Sequence, residues 1–74
     1  MDTKQLIGKR IETLRKQKSL SQLKFSYEAE MERTYLNHIE KGRKNISVNT
    51  LQKITNALNI SLKDFFDSTE FSKL

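Results

Sequence analysis

Residues 21–42 read SQLKFSYEAEMERTYLNHIEKG, and this stretch decides the fold. Ser21 is a strong helix N-cap, and Leu23, Phe25 and Ala29 carry apolar surface along the segment it opens. The reading is a helix over residues 21–29. Glu30-Met31-Glu32 makes a short turn, and a second helix follows over residues 32–41 with Met31, Leu36 and Ile39 facing inward. Gly42 stands where the end of that helix wants a left-handed residue. Thr34, Asn37 and His38 share roughly one face of it, opposite Leu36 and Ile39.

Helical spacing continues outward on both sides. Ile7, Ile11 and Leu14 fall at i, i+4 and i+7, with Leu6 beside them and Lys9, Arg10, Glu12 and Thr13 between. This predicts an amphipathic helix over residues 3–18 with Thr3 as its N-cap and a break at Ser19-Leu20. On the other side, Arg43-Lys44-Asn45 is a polar, basic loop, and Ser47 is the next N-cap. Val48, Leu51, Ile54 and Leu58 step along a fourth helix over residues 48–58, closed by Asn59. Ser61-Leu62-Lys63-Asp64 has the S-x-x-D form that opens a fifth helix, residues 62–68, presenting Leu62, Phe65 and Phe66. Residues 69–74 are expected as a frayed, flexible tail or an extra half-turn. No strand alternation, internal repeat or low-complexity segment is present. The expectation is an all-α fold of five short helices in a single domain, residues 1–74, with its core between residues 3 and 68. A chain with no proline and two glycines suits it.

Size and composition exclude much else. Seventy-four residues leave room for one core and at most one groove. With no cysteine there are no disulfides or thiolate metal sites, and the one histidine, His38, cannot build a His-rich metal cluster. Glu28, Glu30 and Glu32 straddle a helix end and a turn, so they need not converge. There is no glycine-rich phosphate loop and no defensible serine–histidine–acid spacing. The chain is therefore expected not to be an enzyme, with no cofactor, no metal and no small-molecule substrate. No apolar run approaches the ~20 residues that span a bilayer, and residues 1–13 are too polar for a secretory signal. The expected location is the cytoplasm, at the nucleoid, with no membrane partner.

Charge supplies the positive clue. Fourteen Lys and Arg against nine Asp and Glu give +5, the footprint of a nucleic-acid binder or of a merely basic domain. Its distribution sharpens this. Residues 1–18 carry +4 and residues 41–53 carry +4, whereas residues 19–40 carry −2 and the remainder −1. The excess flanks the central stretch, where phosphates would lie on either side of an inserted helix.

Two helices joined by a three-residue turn have the spacing of a helix-turn-helix, whose second helix enters the major groove. Glu32, Arg33 and Thr34 at its start, with Asn37 and His38 one turn on, then meet base edges. Leu14-Arg15, Leu20-Ser21-Gln22, Arg33-Thr34-Tyr35-Leu36, Ile39-Glu40-Lys41-Gly42, Asn45-Ile46-Ser47 and Leu51 together resemble the lambda-repressor/Cro-type (Xre-like) DNA-binding family. The resemblance runs over about residues 7–66. RTYLNHIEKGRKNIS, residues 33–47, is also similar to the short controller proteins of restriction–modification systems.

The resemblance implies roles. Gln22 touches a phosphate and braces the reading helix. Arg33, Thr34 and His38 fall on base-contact positions, Arg33 suiting guanine O6 and N7, and Thr34 a thymine methyl or a phosphate. Glu32 stabilises the helix dipole or accepts from cytosine N4. Tyr35 stacks on sugar–phosphate or packs over the helix before it. Arg43, Lys44 and Asn45 grip the backbone. Arg15 and Glu40 occupy the positions of a buried structural ion pair. Two positions depart from the family: Ser26 stands where alanine is usual, and Glu30 where the turn often has glycine or asparagine, at a cost of about 1 kcal/mol or more if left-handed.

Ile60, Leu62, Phe65 and Phe66 put four large apolar groups within seven residues. Some must close the core over the first helix. The surplus is expected to form a homodimer surface, to which Phe71 adds if it does not join the core. The expected function is a sequence-specific regulator of transcription, a homodimer on an inverted-repeat operator in double-stranded DNA. The other reading is a protein-interaction or antitoxin-like adaptor module using the apolar C-terminal helix.

Overall fold

A computed structural model of the chain describes residues 2–74; Met1 lies outside the described residues, so the expected domain is described from Asp2 onward. Among them the regular structure is helical throughout: α1 (Thr3–Gln17), α2 (Gln22–Glu28), α3 (Arg33–Glu40), α4 (Val48–Leu58), α5 (Leu62–Phe66) and a final 3-10 turn (Thr69–Phe71). None of these helices is long and apolar enough to cross a membrane.

Local chemistry starts the helices. The hydroxyls of Ser21, Ser47 and Ser61 accept the backbone N–H of Lys24, Thr50 and Asp64 at 3.1, 3.0 and 2.9 Å. The cap of α1 is Asp2 and not the expected Thr3. The Asp2 carboxylate accepts the Gln5 N–H at 3.0 Å, and the Gln5 side chain accepts the Asp2 N–H at 3.0 Å. This reciprocal capping box also sets a negative charge on the positive end of the helix, which a threonine hydroxyl cannot do.

One device ends the first four helices. Ser19, Glu30, Gly42 and Asn59 are left-handed, with φ of 58, 56, 73 and 59°. The N–H of the next residue then reaches five residues back: Leu20 to Arg15, Met31 to Ser26, Arg43 to His38 and Ile60 to Thr55, at 2.9–3.2 Å. These bonds satisfy carbonyls that the helix end leaves open. Leu20, Met31 and Ile60 pack on the core. The residue in the same place after α3 is Arg43, which is exposed.

Ile11 of α1, Phe25 of α2, Leu36 and Ile39 of α3, Ile54 and Leu58 of α4 and Phe65 of α5 share one buried cluster. Each such side chain contributes about 1.5–3 kcal/mol by leaving water. Gly8 allows α1 to lie on the end of α3. A Cβ there would stand 2.3 Å from the Ile39 carbonyl oxygen and 2.7 Å from that of Glu40. Ser26, buried where alanine was usual, donates its hydroxyl to the Leu23 carbonyl at 2.7 Å, so no polar atom is stranded.

Two expectations need correction. Val48 is 72% exposed, because the first turn of α4 runs past the edge of the core. α5 ends at Phe66, since Asp67 (ψ 74°) leaves helical geometry. Residues 69–71, in the stretch expected as a frayed tail or an extra half-turn, form the 3-10 turn. The Phe71 ring stands 5.0 Å from that of Phe66 and 6.2 Å from that of Phe65, which gives the turn an apolar anchor.

Candidate nucleic-acid interface

α3 buries Leu36, Ile39 and Glu40, packs Tyr35 partly against the core and turns its other side chains outward. Glu32, Arg33 and Thr34 are exposed, and Asn37 and His38 are half-buried. Arg33, Thr34, Asn37 and His38 line one shallow cleft together with Gln22. Four of the five expected base-reading residues are thus brought together. Glu32 lies aside, on a recess with Met31, Tyr35 and Lys53, and makes no cap hydrogen bond. Tyr35 packs against the core beside the turn and the first turns of α4, rather than over α2.

A hydrogen-bonded chain holds this cleft in place. The Arg15 Nε and Nη2 donate to Glu40 Oε2 and Oε1 at 2.7 and 3.0 Å, a two-pronged ion pair. A third Arg15 N–H donates to the Leu20 carbonyl at 2.6 Å. Both charged groups are buried, and the bond from Glu40 holds the Arg15 guanidinium above the usual arginine range. Gln22 Nε2 donates to Glu40 Oε1 at 3.1 Å, and Asn37 Nδ2 donates to Gln22 Oε1 at 3.2 Å. Gln22 therefore braces α3, as the resemblance implied, and keeps one N–H unspent. Among the described residues no buried side-chain nitrogen or oxygen lacks a partner.

Arg43, Lys44 and Asn45 are all exposed in the loop between α3 and α4. Gly42 directs them. A Cβ there would lie 2.8 Å from Gln5 Cα, so only glycine lets the chain leave α3 along the first turn of α1. Lys44 and Asn45 then share a recess with Thr3, Lys4 and Ile7.

The two basic flanks differ. In the first, Arg15 is spent on Glu40, and Lys9 and Lys16 lie 3.2 and 3.7 Å from Glu12. The hydrogen bond from Lys9, and then the charge of Lys16, hold Glu12 below the usual carboxylate range. Arg10 donates to the carbonyls of Phe65 and Asp64 at 2.8 and 3.0 Å. The two arginines of α1 serve the fold and Glu12 offsets one of its lysines, whereas the loop after Gly42 carries no carboxylate. Sequence reasoning missed the role of Arg10, whose signal was its place among Ile7, Ile11 and Leu14 at the edge of the apolar stripe. It also missed that Leu23 and Tyr27 stand out from α2, 45% and 71% exposed.

At the far end, Phe65 was expected at a dimer surface and is instead fully buried. It lies on the side of α5 that faces Arg10 and the core. Phe66 is 39% exposed, its ring edge-on to Phe65 at 5.0 Å, and Ile60, Leu62 and Phe71 are partly covered.

The helix-turn-helix family matches residues 11–65. The chain is 38% identical over 65 residues to control protein C.BamHI of Bacillus amyloliquefaciens, covering 86% of this chain and 80% of that one. It is 39% identical over 70 residues to control protein C.MunI of a Mycoplasma species, covering 93% and 95%. Its backbone also superposes on the restriction–modification controller protein C.Esp1396I, whose crystal structure is of a tetramer in complex with its natural 35 base-pair operator. The TM-score is 0.81 and the identity 27%, over 85% of this chain and 83% of that one. The match takes in the braced reading helix, the buried ion pair and the basic loop: the chain belongs to the helix-turn-helix family of lambda-repressor/Cro (Xre-like) type.

Proposed function

We propose that the chain is a sequence-specific regulator of transcription that binds double-stranded DNA as a homodimer, in the manner of a restriction–modification controller. One observation carries the reading. Arg33, Thr34, Asn37 and His38 line an open cleft on a braced helix, and the exposed Arg43-Lys44-Asn45 loop stands at the end of that same helix. A helix seated in the major groove places base-reading groups and phosphate-binding groups in that relation. Arg33 suits a guanine edge and Thr34 a thymine methyl. Lys44, Arg43 and the spare N–H of Gln22 take phosphates.

The dimer surface in this reading is Phe66 with Ile60, Leu62 and Phe71. One protomer is 32 Å in its longest dimension, comparable with the ~34 Å of one duplex turn. Two protomers side by side would set their reading helices into successive major grooves on one face of an inverted repeat. The protein would act in the cytoplasm, on the nucleoid, as a binding protein and not an enzyme.

Binding-site selection from random duplexes tests this. The expected product is an inverted repeat with half-sites about 10 base pairs apart. A selected pool with no enriched sequence would overturn the reading.

A further inference from the structure

We infer that Glu40 sets, through Gln22, the hydrogen-bonding polarity of Asn37, and that Asn37 so oriented reads an adenine in the major groove. This rests on the DNA-binding reading above and names one base within it.

The orientation follows from chemistry. A carboxylate held by two guanidinium N–H groups has only acceptor oxygens. Gln22 therefore meets Glu40 with its amide nitrogen, at 3.1 Å. Its oxygen is turned the other way and needs a donor. Asn37 supplies one through Nδ2, at 3.2 Å. Each amide has one satisfying orientation, and the buried charge at the end of the chain dictates both.

Asn37 is left with Oδ1 and one N–H. No described residue bonds that oxygen, and no buried side-chain oxygen among the described residues is unpartnered, so Oδ1 is open to solvent. It belongs to a residue lining the same cleft as Arg33, Thr34 and His38. An acceptor beside a single donor matches the N6 amino group and N7 of adenine. Guanine presents two acceptors there, N7 and O6, and would set its O6 against Oδ1. An unlocked asparagine could give guanine both N–H groups; the bond to Gln22 removes one of them. Gln22 is thus a positioning residue for specificity as well as a brace.

Competition binding on a duplex series carrying each base at each half-site position tests the inference. For the wild-type protein, one position per half-site should favour adenine over guanine by about tenfold or more. Asn37→Ala should flatten that position and leave the others intact. Gln22→Ala should also lower its adenine-to-guanine ratio, by raising guanine binding, while the position read by Arg33 keeps its preference. Replacing the adenine with 7-deazaadenine should weaken wild-type binding several-fold and leave Asn37→Ala unaffected. Melting curves check that each variant is folded, with Asn37→Ser in reserve. If Asn37→Ala leaves every preference unchanged, the adenine contact is wrong. If it flattens one position but Gln22→Ala does not, the relay from Glu40 is wrong. Failure of the DNA reading looks different: the wild-type protein itself would show no preference at any position.

Discussion

α1 carries two arginines five residues apart that anchor opposite ends of the molecule by different means. Arg15 pairs with a side chain, the buried carboxylate of Glu40, and from there the hydrogen bonds run to the reading face of α3. Arg10 pairs with backbone, the carbonyls of Asp64 and Phe65 at the end of α5, and the outer part of its fork is exposed. A carbonyl is present whatever residue occupies the position, so the second anchor holds any sequence that keeps α5 helical. The first works only with a carboxylate at residue 40. The end proposed to read DNA is thus fixed by side-chain identity, and the end proposed to assemble the dimer is fixed by backbone shape.

The sharpest way to break this contrast is to remove one partner of the buried pair. Glu40→Ala leaves the Arg15 guanidinium buried and uncompensated and should cost about 3–5 kcal/mol in urea denaturation. Replacing both, Arg15→Met with Glu40→Leu, should recover most of that stability, since matched apolar groups can substitute for a buried pair. The adenine preference assigned to Asn37 should not return with it, because Gln22 still lacks its acceptor. A Glu40→Ala variant as stable as wild type would mean that the pair is not buried in solution.

The adjacent phenylalanines test the other end. Phe65 is fully buried, so Phe65→Ala should cost about 3–5 kcal/mol and lower stability before it affects assembly. Phe66 is 39% exposed, so Phe66→Asp should leave the helical content intact and shift sedimentation from dimer to monomer. The reverse pattern would mean that α5 docks with its other face inward.

Arg10→Ala should fall below both. It removes two hydrogen bonds from a charged donor, but in a partly exposed setting, and should cost about 1–2 kcal/mol. Because the loss frees the end of α5, the dimer dissociation constant should rise even in conditions where the monomer stays folded. Arg10→Lys should restore little, since an ammonium cannot span two carbonyls as the fork does. Equal loss of stability with unchanged dimerisation would separate Arg10 from the assembly surface.

What was legible in the sequence was local. Ser21, Ser47 and Ser61 announce helices because a cap bonds only three residues onward, and Gly42 and Asn59 announce helix ends for the same reason. The cleft-lining face of α3 was also legible, since Thr34, Asn37 and His38 share it by helical spacing alone. The Arg15–Glu40 pair came from the resemblance and not from spacing, as its partners are 25 residues apart. What could not be read depends on how helices dock. Phe65 and Phe66 are chemically identical, and only the seat of α5 on α1 decides which is buried. Arg10 finds carbonyls 54 and 55 residues away, and carbonyls have no sequence signature. Asp2 displaced Thr3 as the first cap because Gln5 answers it, a reciprocity that spacing from the apolar stripe does not reveal.

The smallest effect concerns the turn that joins the two helices of the motif. Glu30 and Gly42 both sit at left-handed helix ends, φ 56 and 73°, but for unequal reasons. At Gly42 a side chain would strike Gln5, so conformation and space both demand glycine. Glu30 is exposed, and its penalty is conformational alone. Glu30→Gly should remove about 1–2 kcal/mol of backbone strain while adding about 0.5–1 kcal/mol of unfolded-state entropy. The net is a gain of about 0.5–1 kcal/mol, enough to raise the melting temperature by a few degrees in a domain this size. Gly42→Ala should move it down, and by more. A neutral or destabilising Glu30→Gly would show that the glutamate is held by the turn and not strained in it.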